Sequence, residues 1–189
     1  MKFPGKIFAM ASMFLFVLFA GPAAESKAKI AHEQTSFCGD DAPDDLKMKS
    51  DPLPPMVIAA VMNTREGKEA RGDARSHGEE LVPEEILKGT KVHIANTHAL
   101  FYLVIGSSYM SGADNTWFWI VRQAHKNAQV LLFTGGNCLD ISGKKSFHYR
   151  NIVMTWSSSN DTLTEIYHYN GRLYKRWKSK SVPNRPFPN

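Results

Sequence analysis

The side chains with chemistry to offer in this 189-residue sequence are seven histidines, two cysteines and a band of aromatic and basic residues near the C-terminus. His93 and His98 lie five apart in VHIANTH, with Asp114 in a following turn sequence and His148 further on. His93, His98 or His148 acting with Asp114 would make the acid–base set of a small hydrolase, provided the fold brings them to one substrate. Metal ligation fits the spacing poorly. Zinc motifs place ligands as H-E-x-x-H or C-x-x-C, and two residues five apart on a strand point to opposite faces. Ser142-Gly143-Lys144-Lys145 has the S-x-x-K form that sets a nucleophile one helical turn before its lysine, but Gly143 and the surrounding turn signals disfavour a helix. Residues 107–115 hold one carboxylate, Asp114, where a calcium loop needs several. No G-x-S-x-G, P-loop or dinucleotide glycine pattern occurs. The expectation is therefore no metal, no cofactor and, more readily than an enzyme, a binding protein.

A contact surface has better support. In residues 147–177 an aromatic or basic side chain stands at almost every second position, and residues 172–189 carry Arg172, Lys175, Arg176, Lys178, Lys180 and Arg185 with no acid. Aromatics interleaved with cations suit anionic polymers. The alternative is a solvated edge strand whose lysines discourage pairing with other edges. Arg150, Tyr167, Tyr169, Arg172, Tyr174 and Trp177 are the expected contact residues. His148 and His168 are expected to face each other across the final hairpins as an aromatic pair.

The chain begins as an exported protein does. Lys2 and Lys6 form a basic start, residues 7–20 are apolar, and Gly21, Ala23 and Ala24 supply small residues for cleavage. A membrane anchor would need about 20 continuous apolar residues. Residues 1–24 thus read as a signal peptide, leaving a net charge of +3 (21 basic against 18 acidic side chains) and no transmembrane segment in the mature chain. In the periplasm or outside the cell, the available anions are envelope polysaccharide, lipid headgroups or an acidic protein, and nucleic acid is not expected. Cys38 and Cys138 are both retained, and an even count in an exported chain favours a disulfide over two unrelated buried thiols.

The elements that would position these residues follow from pattern. Residues 25–52 are polar and proline-containing and read as a flexible arm. Pro54-Pro55 introduce a helix over 56–64, since proline suits a first helical turn. The charged run 65–80 reads as a solvated loop or frayed helix end, and 82–87 as a helical turn stopped by Gly89. From there β-rich segments alternate with turn signals at 92–95, 100–105, 116–121, 129–133, 149–156, 163–169 and 172–177. Trp117-Phe118-Trp119-Ile120-Val121 is apolar on both faces, which predicts a central strand covered on both sides, the helix supplying one cover. Asn170-Gly171 predicts a two-residue turn flanked by Tyr169 and Arg172. Alternation turns Ile152, Met154 and Trp156 inward. The predicted architecture is one α+β domain over 53–178, an N-terminal helix packed on an antiparallel meander of about six or seven strands, followed by a basic, proline-containing tail at 179–189.

Pro54-Pro55, then Gly112-Ala113-Asp114-Asn115-Thr116-Trp117-Phe118-Trp119, then Tyr149-Arg150-Asn151-Ile152 with residues 167–174 (YHYNGRLY) form a recognisable series. Over about residues 53–178 it resembles a group of small exported bacterial proteins with a G-A-x-N-x-x-F-W strand and a Y-R-D-I…Y-x-x-D-G-x-x-Y hairpin. A more distant likeness is to the FG-GAP repeats of integrin-like proteins, whose D-x-N-x-D-G loop binds calcium. Here that loop would fall at Asn96-Thr97-His98-Ala99, which lacks the carboxylates, and Asn151 and Asn170 stand where the pattern has Asp. The resemblance implies a fold and no catalytic residues. With the residue reading it leads to an exported, non-enzymatic cell-envelope binding module, in its narrowest form an inhibitor or immunity protein against a wall-degrading enzyme.

Overall fold

The computed structural model describes residues 35–38, 50–112 and 115–184. Residues 1–24, expected as a signal peptide, most of the polar arm, Asp114 and the last five residues of the tail lie outside the described residues. The chain is α+β, with three helices and ten strands among the described residues, all strand pairs antiparallel.

Helix α1 (Pro55–Met62) starts where the prolines place it, with the Pro54 carbonyl accepting from the Val57 and Ile58 amides. The charged run after it is neither a solvated loop nor a frayed helix end but a capped helix, α2 (Arg65–Ser76). Thr64 Oγ1 accepts from the Gly67 amide as its N-cap. Gly67, Ala70 and Ala74 form a narrow buried face at helical spacing, and a Cβ on Gly67 would sit 2.6 Å from Met62 Cα, so glycine lets α2 lie directly on α1. A stripe of such small residues among charges leaves almost no hydrophobic signal, which is why it reads as solvated. After α3 (Pro83–Ile86) the chain passes through Gly89 as strand β2 (Leu87–Lys91), so Gly89 stops nothing.

The strands form two five-stranded sheets rather than one meander of six or seven. In the first, β2 pairs β3 (Leu100–Gly106), β3 pairs β5 (Asn115–Ala124), and β5 pairs β6 (Asn127–Gly136), with two-residue β4 (Ser111–Gly112) beside the start of β5. In the second, the order is β1 (Ser36–Cys38), β7 (Cys138–Ser146), β8 (Tyr149–Ser157), β9 (Asp161–Tyr169) and β10 (Tyr174–Pro183). Strands β1, β2, β4 and β7 escape sequence reading because they are short or, like CLDISGKKS, poor in β-branched residues; conversely, residues 92–95 are not a strand. The chain crosses between sheets at Gly136, where a Cβ would meet Met154 Sδ at 2.4 Å and the Thr155 carbonyl at 2.9 Å.

Burial sorts into two cores on either side of the first sheet. Phe101, Leu103, Ile105, Phe118 and Ile120 face the second sheet and its Leu139, Ile141, Ile152 and Met154. Tyr102, Val104, Trp119 and Val121 face the helices and meet Val57, Val61, Met62 and Ala70. β5 is thus the doubly covered central strand that its uninterrupted apolar run implies. Cys38 lies opposite Cys138 across the β1–β7 ladder and is disulfide-bonded to it, with Phe37 buried beside the bridge. Among the described residues no helix is long and apolar enough to cross a membrane.

Candidate binding surface

Four connections meet at one end of the two sheets: the 92–99 loop, the β5–β6 turn, the β7–β8 turn and the β9–β10 turn. An aromatic cluster beneath them fixes their arrangement. Tyr149 stacks on Tyr169 at 3.9 Å and meets the edge of Phe101 at 5.7 Å, while Tyr169 packs against Tyr174 at 5.6 Å. Arg150 then ties loops together. Its amide donates to the Ile94 carbonyl, and its guanidinium donates to the carbonyls of Ser142, Ile141 and His93 at 3.0, 3.1 and 3.2 Å. Tyr174 donates its hydroxyl to the Arg150 carbonyl at 2.6 Å. Ser146 Oγ, donating to Asn151 Oδ1 and accepting from the Tyr169 amide, joins the β7–β8 and β9–β10 hairpins.

The charge at this end is one-sided. Residues 91–101, 122–129, 141–150 and 166–178, which build it, contain no Asp or Glu. Lys91, Lys126, Lys144, Lys145, Arg172 and Lys175 are exposed there, and His93, His98, His125, His148 and His168 are five of the seven histidines in the chain. The next carboxylate along β9, Glu165, is engaged by Arg176 in an ion pair and by the Tyr167 hydroxyl. Exposed carboxylates of the described chain, such as Glu79, Glu84 and Glu85, belong to the helical segments that lead to the far end of β2.

The six expected contact residues do not form one surface. Tyr169 and Tyr174 are buried in the core between the sheets, Arg150 is spent on backbone carbonyls, and Tyr167 is half-buried beside Thr134 and Glu165. Arg172 and Trp177 are exposed. Trp177 sits in the bulge between Arg176 and Lys178, 63% exposed, with its ring stacked on His168 at 4.5 Å. His168 therefore pairs with Trp177 and not with His148, which lies on the β7–β8 turn. The β9–β10 connection also differs from expectation. Tyr169 pairs with Tyr174, not Arg172, because Asn170 Oδ1 accepts from both the Arg172 and Leu173 amides and Leu173 packs on the core, so four residues make the turn.

For the acid–base set, His93 and His98 line a common depression of about 480 Å3 with Lys91 and Leu100. His148 is on the separate hairpin tip and Asp114 is outside the described residues. Among the described residues no group of three or more His, Cys, Asp or Glu side chains could hold a metal. A second groove, about 450 Å3, runs between the start of α2 and the aromatics Trp117, Phe133 and Trp156. Alternation alone turns Trp156 fully inward; in the fold it is partly exposed at the groove wall.

Burial, and then the hydrogen bond to Glu165, raises the Tyr167 phenol to about 12, and burial raises Tyr174 as well. A phenol held neutral in the fold favours folding fully below its unfolded value, and that contribution disappears as pH rises through the folded value. Stability should therefore fall between about pH 10 and pH 12. Tyr167 is half-exposed, so its share, discounted for solvent screening, is roughly 1–2 kcal/mol. Tyr167→Phe should flatten this alkaline limb in urea titrations monitored by circular dichroism; an unchanged limb would remove Tyr167 as its cause.

Comparison of the chain with protein-family models, with curated proteins and with solved structures found no match.

Proposed function

We propose that the protein is an exported, non-enzymatic binding module of the cell envelope, and that its contact is the basic end where the four connections meet. The partner on this reading is an anionic envelope surface. The observation that carries it is the complete lack of carboxylates in four segments distant in sequence that converge there, with exposed lysines and Arg172 among them. A solvated face chosen only for solubility mixes both signs of charge, whereas a single-sign patch concentrates and steers an oppositely charged partner. The signal-like N-terminus and the Cys38–Cys138 bridge support an oxidising compartment outside the cytoplasm.

The test is charge reversal. Lys144→Glu, Lys145→Glu and Arg172→Glu change exposed side chains, so folding is expected to survive. A basic side chain near an anionic surface contributes about 1 kcal/mol, so each reversal should weaken binding to dextran sulfate or anionic vesicles by fivefold or more. Rising salt should erase the difference, because screening acts on exposed charges. The paired control is Glu84→Lys/Glu85→Lys at the other end, which should leave binding nearly unchanged. Equal affinity of the triple variant and the parent at low salt would refute the reading.

A further inference from the structure

Within the basic end, the β7–β8 turn stands out because it breaks the conformational rule that the turn type imposes. Ser146 pairs with Tyr149, so Phe147 and His148 alone make the connection, and both have positive φ, 48° and 66°. That is the backbone of a two-residue I′ turn, which Asn-Gly adopts without strain and a bulky L side chain adopts at a cost. Burial does not offset the cost, since Phe147 is 68% exposed. A strained turn that holds a large aromatic ring in solvent is a feature to explain by contact rather than by folding.

The surroundings define the contact. Lys144 and Lys145 are exposed on the same hairpin, where the register shifts between Ile141 and Lys145. The tip is held firmly by Ser146, bonded to Asn151 and the Tyr169 amide, and by the Tyr149–Tyr169 stack. Leu100, 47% exposed, is a second apolar side chain at this end, one residue before the Phe101 ring that meets Tyr149. A convex tip with an aromatic ring at its apex, lysines behind it and no carboxylate suits a soft interface better than a shaped pocket. The ring enters the acyl boundary while the lysines remain among headgroups.

Resting on the basic-end reading above, the geometry points to an anionic lipid bilayer as the partner, with Phe147 as the inserting residue. The protein then lies on the bilayer by its β7–β8 tip, and basic side chains of the neighbouring connections contact headgroups.

Co-sedimentation of the mature protein with vesicles tests this. Binding is expected to phosphatidylglycerol-containing vesicles and not to pure phosphatidylcholine. Phe147→Ala should lower vesicle partitioning about tenfold, the order expected from burying one aromatic side chain, while leaving affinity for soluble dextran sulfate unchanged. Phe147→Asn/His148→Gly should raise the melting temperature by relieving the turn and lose the same partitioning, which separates the contact from any folding defect. Binding to dextran sulfate without vesicle binding, or vesicle binding indifferent to both variants, overturns the lipid assignment and leaves the basic-end reading standing. Binding to neither anion overturns both.

Discussion

Opening the Cys38–Cys138 bridge should lower the free energy of unfolding by about 4–5 kcal/mol, the largest single effect expected in this chain. The two cysteines are 100 residues apart, and in the chain-entropy account a loop of that size restricts the unfolded chain by about 4–5 kcal/mol relative to an open one. The native side of the balance is exposed as well. Strand β1 is three residues long and among the described residues pairs only with β7, yet it carries Phe37, 1% exposed, into the core between the sheets. Without the bridge, three ladder positions must hold that ring in place. Urea unfolding with and without reductant should show a large fall in midpoint. Phe37→Ala in the oxidised protein separates the two contributions, with about 3–5 kcal/mol expected from loss of the buried ring alone. A midpoint unmoved by complete reduction would show that the bridge is not a stabilising element.

Trp119 should give the second large effect, with an unusual contrast between substitutions. It is fully buried on the helix face of β5, in contact distance of Trp117 and Phe133 with ring centroids 6.2 and 5.2 Å away. Trp119→Ala should cost about 3–5 kcal/mol through lost burial and the cavity left behind. Its indole Nε1 is buried without a hydrogen-bond partner among the described residues. An unpaired buried donor carries a desolvation penalty of about 1–3 kcal/mol. Trp119→Phe removes that donor along with some volume, so the two terms oppose and the net change should stay within about 1 kcal/mol. Denaturant midpoints of the two variants decide this; a Trp119→Phe loss close to that of Trp119→Ala would mean that the nitrogen is paired through water.

How much of this was legible beforehand depends on the physical signal each element leaves. The doubly covered β5 was, because WFWIV is apolar at odd and even positions alike and permits no solvent face. The prolines before α1 marked its start for a similar reason, since they exclude most other conformations. Helix α2 was not, because it packs through Gly67, Ala70 and Ala74, and small residues bury little area and carry little hydropathy. The split into two sheets was hidden at Gly136, whose requirement arises from Met154 and Thr155, partners far along the chain. At the candidate site, composition pointed to the hairpins of 147–177 but could not divide ring from ring. Tyr169, Tyr174 and Trp177 are all aromatic, and only the bulge at Trp177 and the four-residue turn at 170–173 decide which face water. The Phe147-His148 turn left a fainter sign still: two strands joined with no Asn or Gly between them.

The disulfide also has a consequence for the chain as a covalent graph. Residues 38–138 form a closed ring that contains all three helices and the whole helix-covered sheet, whereas β8, β9 and β10 lie on an open branch beyond it. A protease that cuts once inside the ring, for example in the exposed stretch at 77–80, releases no fragment from the oxidised protein. One that cuts the branch at the β8–β9 turn severs β9 and β10 outright. The same single nick is therefore silent or disassembling according to which side of Cys138 it falls, and the branch side is where the β9–β10 half of the basic end is carried.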